Sequence, residues 1–436
     1  MNCNPKFGLI IALSISSSLF LFSCSKNSPK PTPTNNSPTI NSLSVDTGVY
    51  GTSIKVNGTG FSSTLSDDKV FFNGKPATVT AATSTQLTAT VPLSAGTGNV
   101  SVSVNNGSQV SGPVFVYQLS AFVTTLAGND KAAYIDGKGA NASFSLIWGI
   151  ALDPSGNIYV SDGYYIRKVT SDGTVTTIAG NSNGNTIGWD IDGKGSAATF
   201  LYPASLTTDI SGNVYIADGS KIRKMTPDGT VSTLPLSSSL SQVAQDLTGI
   251  AMDGSGDIYA SDAASNVIVK LKSDGTSAVF AGSGAQSSTD GMGTTASFND
   301  PIDMAIDGSG NLFVVDLKSN MIRKVTPDGN VTTIAGSGSK GAANGQAAKA
   351  SFYSPDGITI DKTGNLYIGD FGNYLVREIS SSGIVSTIAG TGKMAIPSVD
   401  GIGTLASFGS VNTLKADAFG NIYVADYNKI RKITFQ

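Results

Sequence analysis

The sequence predicts an all-β protein: a small antiparallel sandwich, then a six-bladed β-propeller whose last blade is completed by an early strand. Three observations carry this reading. Strand-sized alternating stretches are divided by Gly, Asn and Ser between Pro38 and Tyr117. After Leu119 one template recurs six times, and recurrence at a fixed period is the mark of a repeat architecture. Glycine supplies 51 of the 436 residues, a surplus that fits many tight turns.

The N-terminus reads as an address. Lys6 precedes an apolar run from Phe7 to Phe22, broken by Ser14, Ser16, Ser17 and Ser18. It is too short and too polar for a membrane span and has the form of a signal-peptide core. Leu21-Phe22-Ser23-Cys24 resembles the lipobox of bacterial lipoproteins, which implies cleavage before Cys24 and lipidation of that residue. Several acyl chains on one residue anchor stably where a single chain does not. A plain secretory signal containing a cysteine is the alternative. Residues 25–37, SKNSPKPTPTNNS, form a Pro-rich, semi-rigid spacer. The expected location is the bacterial cell envelope, lipid-anchored at the outer membrane, with either face open.

From Pro38 to Tyr117, stretches such as Ser53–Val56, Val70–Phe72, Gln86–Val91 and Val100–Val104 alternate apolar with polar residues. Turns such as Asn73-Gly74 and Asn106-Gly107 separate them. About seven strands in this span predict an antiparallel sandwich. The succession Gly58-Thr59-Gly60-Phe61, Phe72-Asn73-Gly74, Thr85–Pro92 and Gly96-Thr97-Gly98 resembles an IPT/TIG domain. That resemblance implies an immunoglobulin-like fold serving as spacer or interaction module.

Five segments after Leu119, with a degenerate sixth, follow one template: an Ala-Ser-Phe loop end, an apolar strand ending in Asp, and a Gly-Asn turn. An Ile-Tyr-Val-like strand ending in Asp, an Ile-Arg-Lys strand, an Asp-Gly turn and Val-Thr-Thr-Ile-Ala-Gly follow. The Gly-Asn position falls at Asn157, Asn213, Asp257, Asn311, Asn365 and Asn421, at intervals of 56, 44, 54, 54 and 56 residues. Four strands per interval make one propeller blade. Phe122–Gly128 matches a fourth strand with no three before it, and Ile430–Thr434 a third strand with no fourth after it. Residues 122–126 are therefore expected to complete the sixth blade and close the ring by β-pairing. Gly149-Ile150-Ala151-Leu152-Asp153, Gly156–Asp162 and Ile166-Arg167-Lys168 resemble the NHL-repeat propeller family. Blade 3 departs from the template: Val269 replaces the arginine, Pro235-Leu236 replaces Ala-Gly, and the preceding Asp-Gly-x-Gly-Ala-Ser-Phe segment is missing. The domain expectation is thus residues 1–23, 24–37, 38–118 and 119–436.

Composition removes whole classes of chemistry. The chain has no histidine, two cysteines (Cys3 and Cys24) and one glutamate, Glu378. Ser-His-Asp and Cys-His nucleophiles, His-based zinc sites and Glu/Glu acid–base pairs are excluded. A net charge of -3 gives no basic surface for nucleic acid. Recurring residues are expected to hold the blades: Asp162, Asp218, Asp262, Asp316, Asp370 and Asp426 in all six, with Arg167, Arg223, Arg323, Arg377 and Arg431 in five, as turn acceptors and strand-edge partners. Glu378 stands where other blades carry lysine and is expected to be a solvated strand position. The loop Asp190–Gly195 has some features of a calcium loop but lacks the third acidic position and the distal glutamate. Its copies at Asp136, Asp290 and Asp400 mark a feature of the fold.

Singular residues on one face of the ring are better functional candidates. Just before the inner strands, the six blades align Trp148, Ala204, Thr248, Ile302, Asp356 and Asn412. The next position brings Asp303 and Thr413 where other blades have Gly or Ser. Between second and third strands lie Tyr164, Tyr165, Phe371, Tyr374 and Tyr427, and Trp189 sits in the longest inter-blade loop. Aromatic faces beside Asp and Asn suit a sugar ring, apolar on one face and hydroxylated at its edge; rings that merely plug the mouth are the alternative. The expectation is a non-enzymatic, membrane-anchored binding or scaffold protein without cofactor, whose propeller face takes a glycan or an extracellular protein. The second reading is a metal-dependent hydrolase or lactonase, as resemblance to other six-bladed propellers implies, with a divalent cation at Asp303, Asp356 and Asn412.

Overall fold

The computed structural model describes residues 37–182, 190–238, 240–241 and 243–436. Cys24, the apolar segment before it and Trp189 lie outside these. Eight strands between Thr39 and Tyr117 form one curled, continuously hydrogen-bonded sheet. The long strand Lys75–Thr83 makes it continuous by pairing with Asp68–Phe72 on one side and Gln86–Thr90 on the other, with a bulge between Val79 and Ala81. Alternate residues point inward, as a period of two requires. Ile54, Val56, Val70, Phe72, Val100, Val102 and Phe115 meet in the core, where the Phe72 and Phe115 rings pack edge to face at 5.1 Å.

Residues 121–435 form six antiparallel sheets arranged as propeller blades. Their inner strands are Ile147–Leu152, Pro203–Thr208, Leu247–Met252, Pro301–Ile306, Pro355–Ile360 and Leu414–Ala416. The ring is closed as expected. Ala121–Gly128 pairs with Lys429–Phe435, from Lys429↔Gly128 to Phe435↔Ala121. Val123 and Ile433 are buried together with Phe408 and Val424, and Ser120 and Gln436 exchange backbone hydrogen bonds of 2.9 and 3.0 Å. Each Gly-Asn turn is held by an aspartate at its entry. The Asp153 carboxylate accepts the N–H groups of Ser155 and Asn157, both at 2.9 Å, and Asp209, Asp307 and Asp417 repeat the pattern.

The repeated Asp and Arg lie deeper than strand edges. All five arginines of the chain are fully buried. In blade 1, Arg167 Nη1 donates to Asp162 at 2.8 Å and Nη2 to Asp136 at 2.7 Å. Its guanidinium lies over the Phe144 ring, 5.4 Å from the centroid. Blades 2, 4, 5 and 6 repeat this with Asp218–Arg223–Phe200, Asp316–Arg323–Phe298, Asp370–Arg377–Phe352 and Asp426–Arg431–Phe408. The Asp-Gly-x-Gly loops thus supply arginine partners: Asp192, Asp290 and Asp400 take the role of Asp136, and Asn344 takes it in blade 5. In the same blades each loop adds a two-residue fifth strand, such as Gly137–Lys138.

Blade 3 lost arginine, phenylalanine and loop carboxylate together. Its sheet has four strands, and a short turn carrying Leu240 and Ala244 packs on buried Val269 instead. Asp262 keeps its place by accepting the N–H groups of Gln245 and Ser265. Glu378 is half-buried, not solvated. In five blades a lysine lies over the second-strand ring, as Lys270 over Tyr259 at 4.7 Å. In blade 5 Glu378 pairs with Tyr367 across the strands. Burial, then the Asp361 carboxylate, pushes the Glu378 carboxyl above its usual range.

Two outcomes follow for stability. Arg323→Met is expected to cost about 3–5 kcal/mol, since Asp316 is left charged and dry, and adding Asp316→Asn should recover part of it. Urea unfolding checks this; a single variant as stable as wild type refutes it. Glu378→Lys should raise stability at neutral pH by about 1 kcal/mol by restoring a cation over the ring. The carboxylate form of Glu378 is the disfavoured one, so the gain should shrink as acid protonates it. Melting temperatures at pH 7 and pH 4 read the difference.

Candidate functional site

One end of the propeller channel opens into a cavity of ≈ 260 Å³. Its lining takes one residue from each blade at the aligned position: Trp148, Ala204, Thr248, Ile302, Asp356 and Asn412. Ser205, Asp303, Thr413 and Leu317 complete it. The sequence alignment of the blades is therefore a ring in space. The other end of the channel holds a separate pocket of ≈ 210 Å³ between the far ends of the inner strands, with Leu152, Met252, Ile306 and Lys415 among its walls.

A backbone device that the sequence does not announce presents these side chains. In blades 1, 3 and 4 the strand register slips around Trp148, Thr248 and Ile302. In blades 2 and 5 it slips across Ala204-Ser205 and Asp356-Gly357. These bulges release the mouth residues from strict alternation and re-aim them. Trp148 keeps 51% of its surface exposed.

The next position alternates around the ring as Gly149, Ser205, Gly249, Asp303, Gly357, Thr413. Each glycine sits against the backbone of the following blade. A Cβ on Gly149 would stand 2.2 Å from the Ala204 carbonyl oxygen, and one on Gly357 2.6 Å from that of Asn412. Three polar side chains remain facing inward, each almost fully buried. Asp303 accepts Ser205 Oγ at 3.3 Å and the N–H of Ile358 at 3.1 Å, tying blades 2, 4 and 5 together. Asn412 Nδ2 donates to the Ile147 carbonyl at 3.4 Å. Its Oδ1 and Thr413 Oγ1 are buried with no partner among the described residues. Asp356 projects into the cavity; burial, reinforced by Asp303 and Asp300, pushes its carboxyl up to about 8.

The other candidates are placed differently. Tyr164, Tyr165, Phe371, Tyr374 and Tyr427 do not line this cavity. The Tyr165 ring packs on Tyr134 at 4.7 Å. Phe371 and Tyr427 stand exposed, and Tyr374 and Tyr427 both have left-handed backbone, with φ of 55°. For a metal, Asp303, Asp356 and Asn412 do share the cavity. Yet both Asp303 oxygens already accept hydrogen bonds, and no group of three His, Cys, Asp or Glu able to hold an ion occurs among the described residues. This donor set does not fit a tight divalent centre.

Comparison with known proteins supports the architecture. Residues 38–117 match the IPT/TIG domain and residues 185–345 the teneurin NHL domain. Mouse teneurin-3 is 29% identical over 230 residues, 44% of this chain but 8% of the teneurin; human teneurin-4 is 28% identical over 43% and 8%. The chain thus matches a small fraction of those relatives. A solved Bacteroides thetaiotaomicron structure described as an auxiliary nutrient binding protein superposes with TM-score 0.61 at 18% identity, covering 92% of this chain and 98% of that one. Another from the same organism, described as a putative phosphatase, gives 0.61 at 17%, covering 92% and 97%. At such identities the likeness concerns the fold. Residues 38–117 are an IPT/TIG domain, and the six-bladed β-propeller that follows matches an NHL domain over residues 185–345.

Proposed function

We propose that this protein is an extracytoplasmic binding protein, anchored to a bacterial membrane through lipid on Cys24, whose propeller mouth holds a small polar ligand such as a terminal sugar. The observation that carries the reading is the mouth itself. An exposed tryptophan shares one cavity with a carboxyl group and with buried oxygens that no group among the described residues satisfies. Unsatisfied buried polar atoms are costly, and a bound ligand would meet them. The volume lies below the ~300–1,000 Å³ of sites enclosing drug-sized ligands, so one ring or one terminal group fits. Nutrient binding by proteins of the same fold is in keeping with this, and the IPT/TIG domain would serve as the spacer.

A glycan panel read by calorimetry tests the site. Trp148→Ala is expected to weaken binding about tenfold or more, with an unchanged melting temperature, because a stacking ring contributes on the order of 1–3 kcal/mol. Equal binding by both proteins removes the mouth from the reading. For the anchor, labelled fatty acid supplied to producing cells should enter the wild type and not Cys24→Ala, and the variant should leave the membrane fraction.

A further inference from the structure

The cavity at the mouth has a one-sided electrostatic inventory. Among the described residues, two carboxyl side chains line it, Asp303 and Asp356, and no lysine or arginine does. All five arginines of the chain are committed to the blades. The nearby cation, Lys318, is held by Asp300 at 3.1 Å. Asp303 is spent on Ser205 and Ile358, whereas Asp356 accepts no hydrogen bond among the described residues. Beside it, Asn412 Oδ1 and Thr413 Oγ1 also accept none; Thr413 is 4% exposed.

Three groups in want of donors, Asp356, Asn412 and Thr413, and a tryptophan face in one cavity define a ligand by its chemistry. An anion would meet Asp356 and Asp303 without a counter-charge. A neutral hydroxyl would satisfy an acceptor or two and give Asp356 no charge to ionise against. A protonated amine supplies three N–H donors and the missing positive charge, and an aromatic face attracts it further. Resting on the mouth reading above, we infer that the site selects the ammonium group of a small organic cation, an amino sugar or simple alkylamine, with Asp356 as its counter-ion and Asn412 and Thr413 as acceptors.

The charges facing Asp356 are Asp303 and Asp300, the latter already paired with Lys318. Burial and these two carboxylates disfavour ionisation of Asp356 until a cation arrives. Cation affinity should therefore rise with pH across the titration of Asp356, and binding at pH 7 should release a proton.

Ligand-observed NMR with the full mature protein tests this, using ethanolamine, ethylene glycol as its neutral counterpart and glycolate as an anion. At pH 8.5, where the amine remains protonated, ethanolamine is expected to bind at least tenfold more tightly than ethylene glycol, and glycolate not measurably. Ethanolamine affinity should rise severalfold from pH 6.5 to pH 8.5 while that of ethylene glycol stays level. Asp356→Asn should abolish both the preference and the pH dependence. Should that variant fold poorly, the wild-type pH profile decides. Equal affinity for the amine and the glycol, or a flat pH profile, overturns the inference. If sugars without an amine still bind in a Trp148-dependent way, the mouth reading stands and the ammonium assignment alone falls; if no probe and no glycan binds, both fall.

Discussion

The buried ion pair between the aspartate ending a second strand and the arginine of the third is the constraint on which the propeller depends. A charged pair taken out of water is stable only if geometry and further hydrogen bonds compensate both ions. Here each arginine is compensated by parts of the chain far apart in sequence: in blade 1 the Asp162 carboxylate, the Ser143 carbonyl, the Asp136 loop and the Phe144 ring. The aspartate in turn accepts the N–H groups of Ser145 and Leu146, fixing the chain just before the inner strand. One interaction therefore sets the course of the inter-blade loop, the start of the inner strand and the outermost edge of the sheet. A repeat without a disulfide gains by this means the rigidity that a mouth built from six separate loops requires.

Blade 3 shows that the parts of this unit are lost together. With Val269 in place of arginine, an acidic loop would have no cation to hold, and a phenylalanine no guanidinium to lie beneath. The loop is shorter, the fifth strand is absent and Leu240 fills the space with apolar surface. Substituting a hydrophobic cluster for a buried pair is energetically reasonable. It also explains why the blade still fits the ring although its repeat is the shortest.

These differences bear on what could be read in advance. Spacing, turn chemistry and the orphan strands at 122–126 and 430–434 gave the blades and their closure, since each follows from local rules of strand and turn. The ring of mouth residues was legible for the same reason: equivalent positions in equivalent blades must lie at equal height. The role of the arginines was not legible, because a charged residue in a strand reads as solvated until its partners, 5 to 34 residues away, are brought to it. The exposed rings were likewise beyond sequence. Tyr165 and Phe371 share a face with Trp148, but whether a ring turns into the channel depends on bulges and loop paths that residue type does not encode.

The chemical character of the mouth follows from these same economies of the fold. Inner strands meet so closely that every second blade keeps glycine at one level, which leaves Ser205, Asp303 and Thr413 as the inward side chains. Arginine, the usual compensating charge for a buried carboxylate, is drawn entirely into the blades. A carboxyl group at the aligned position, as Asp356 is, meets no unpaired cation among the described residues that line the mouth, and its ionisation is left to be compensated from outside. In a structure whose repeats are fixed by buried pairs, the place where pairing is withheld is the place where a ligand has something to contribute.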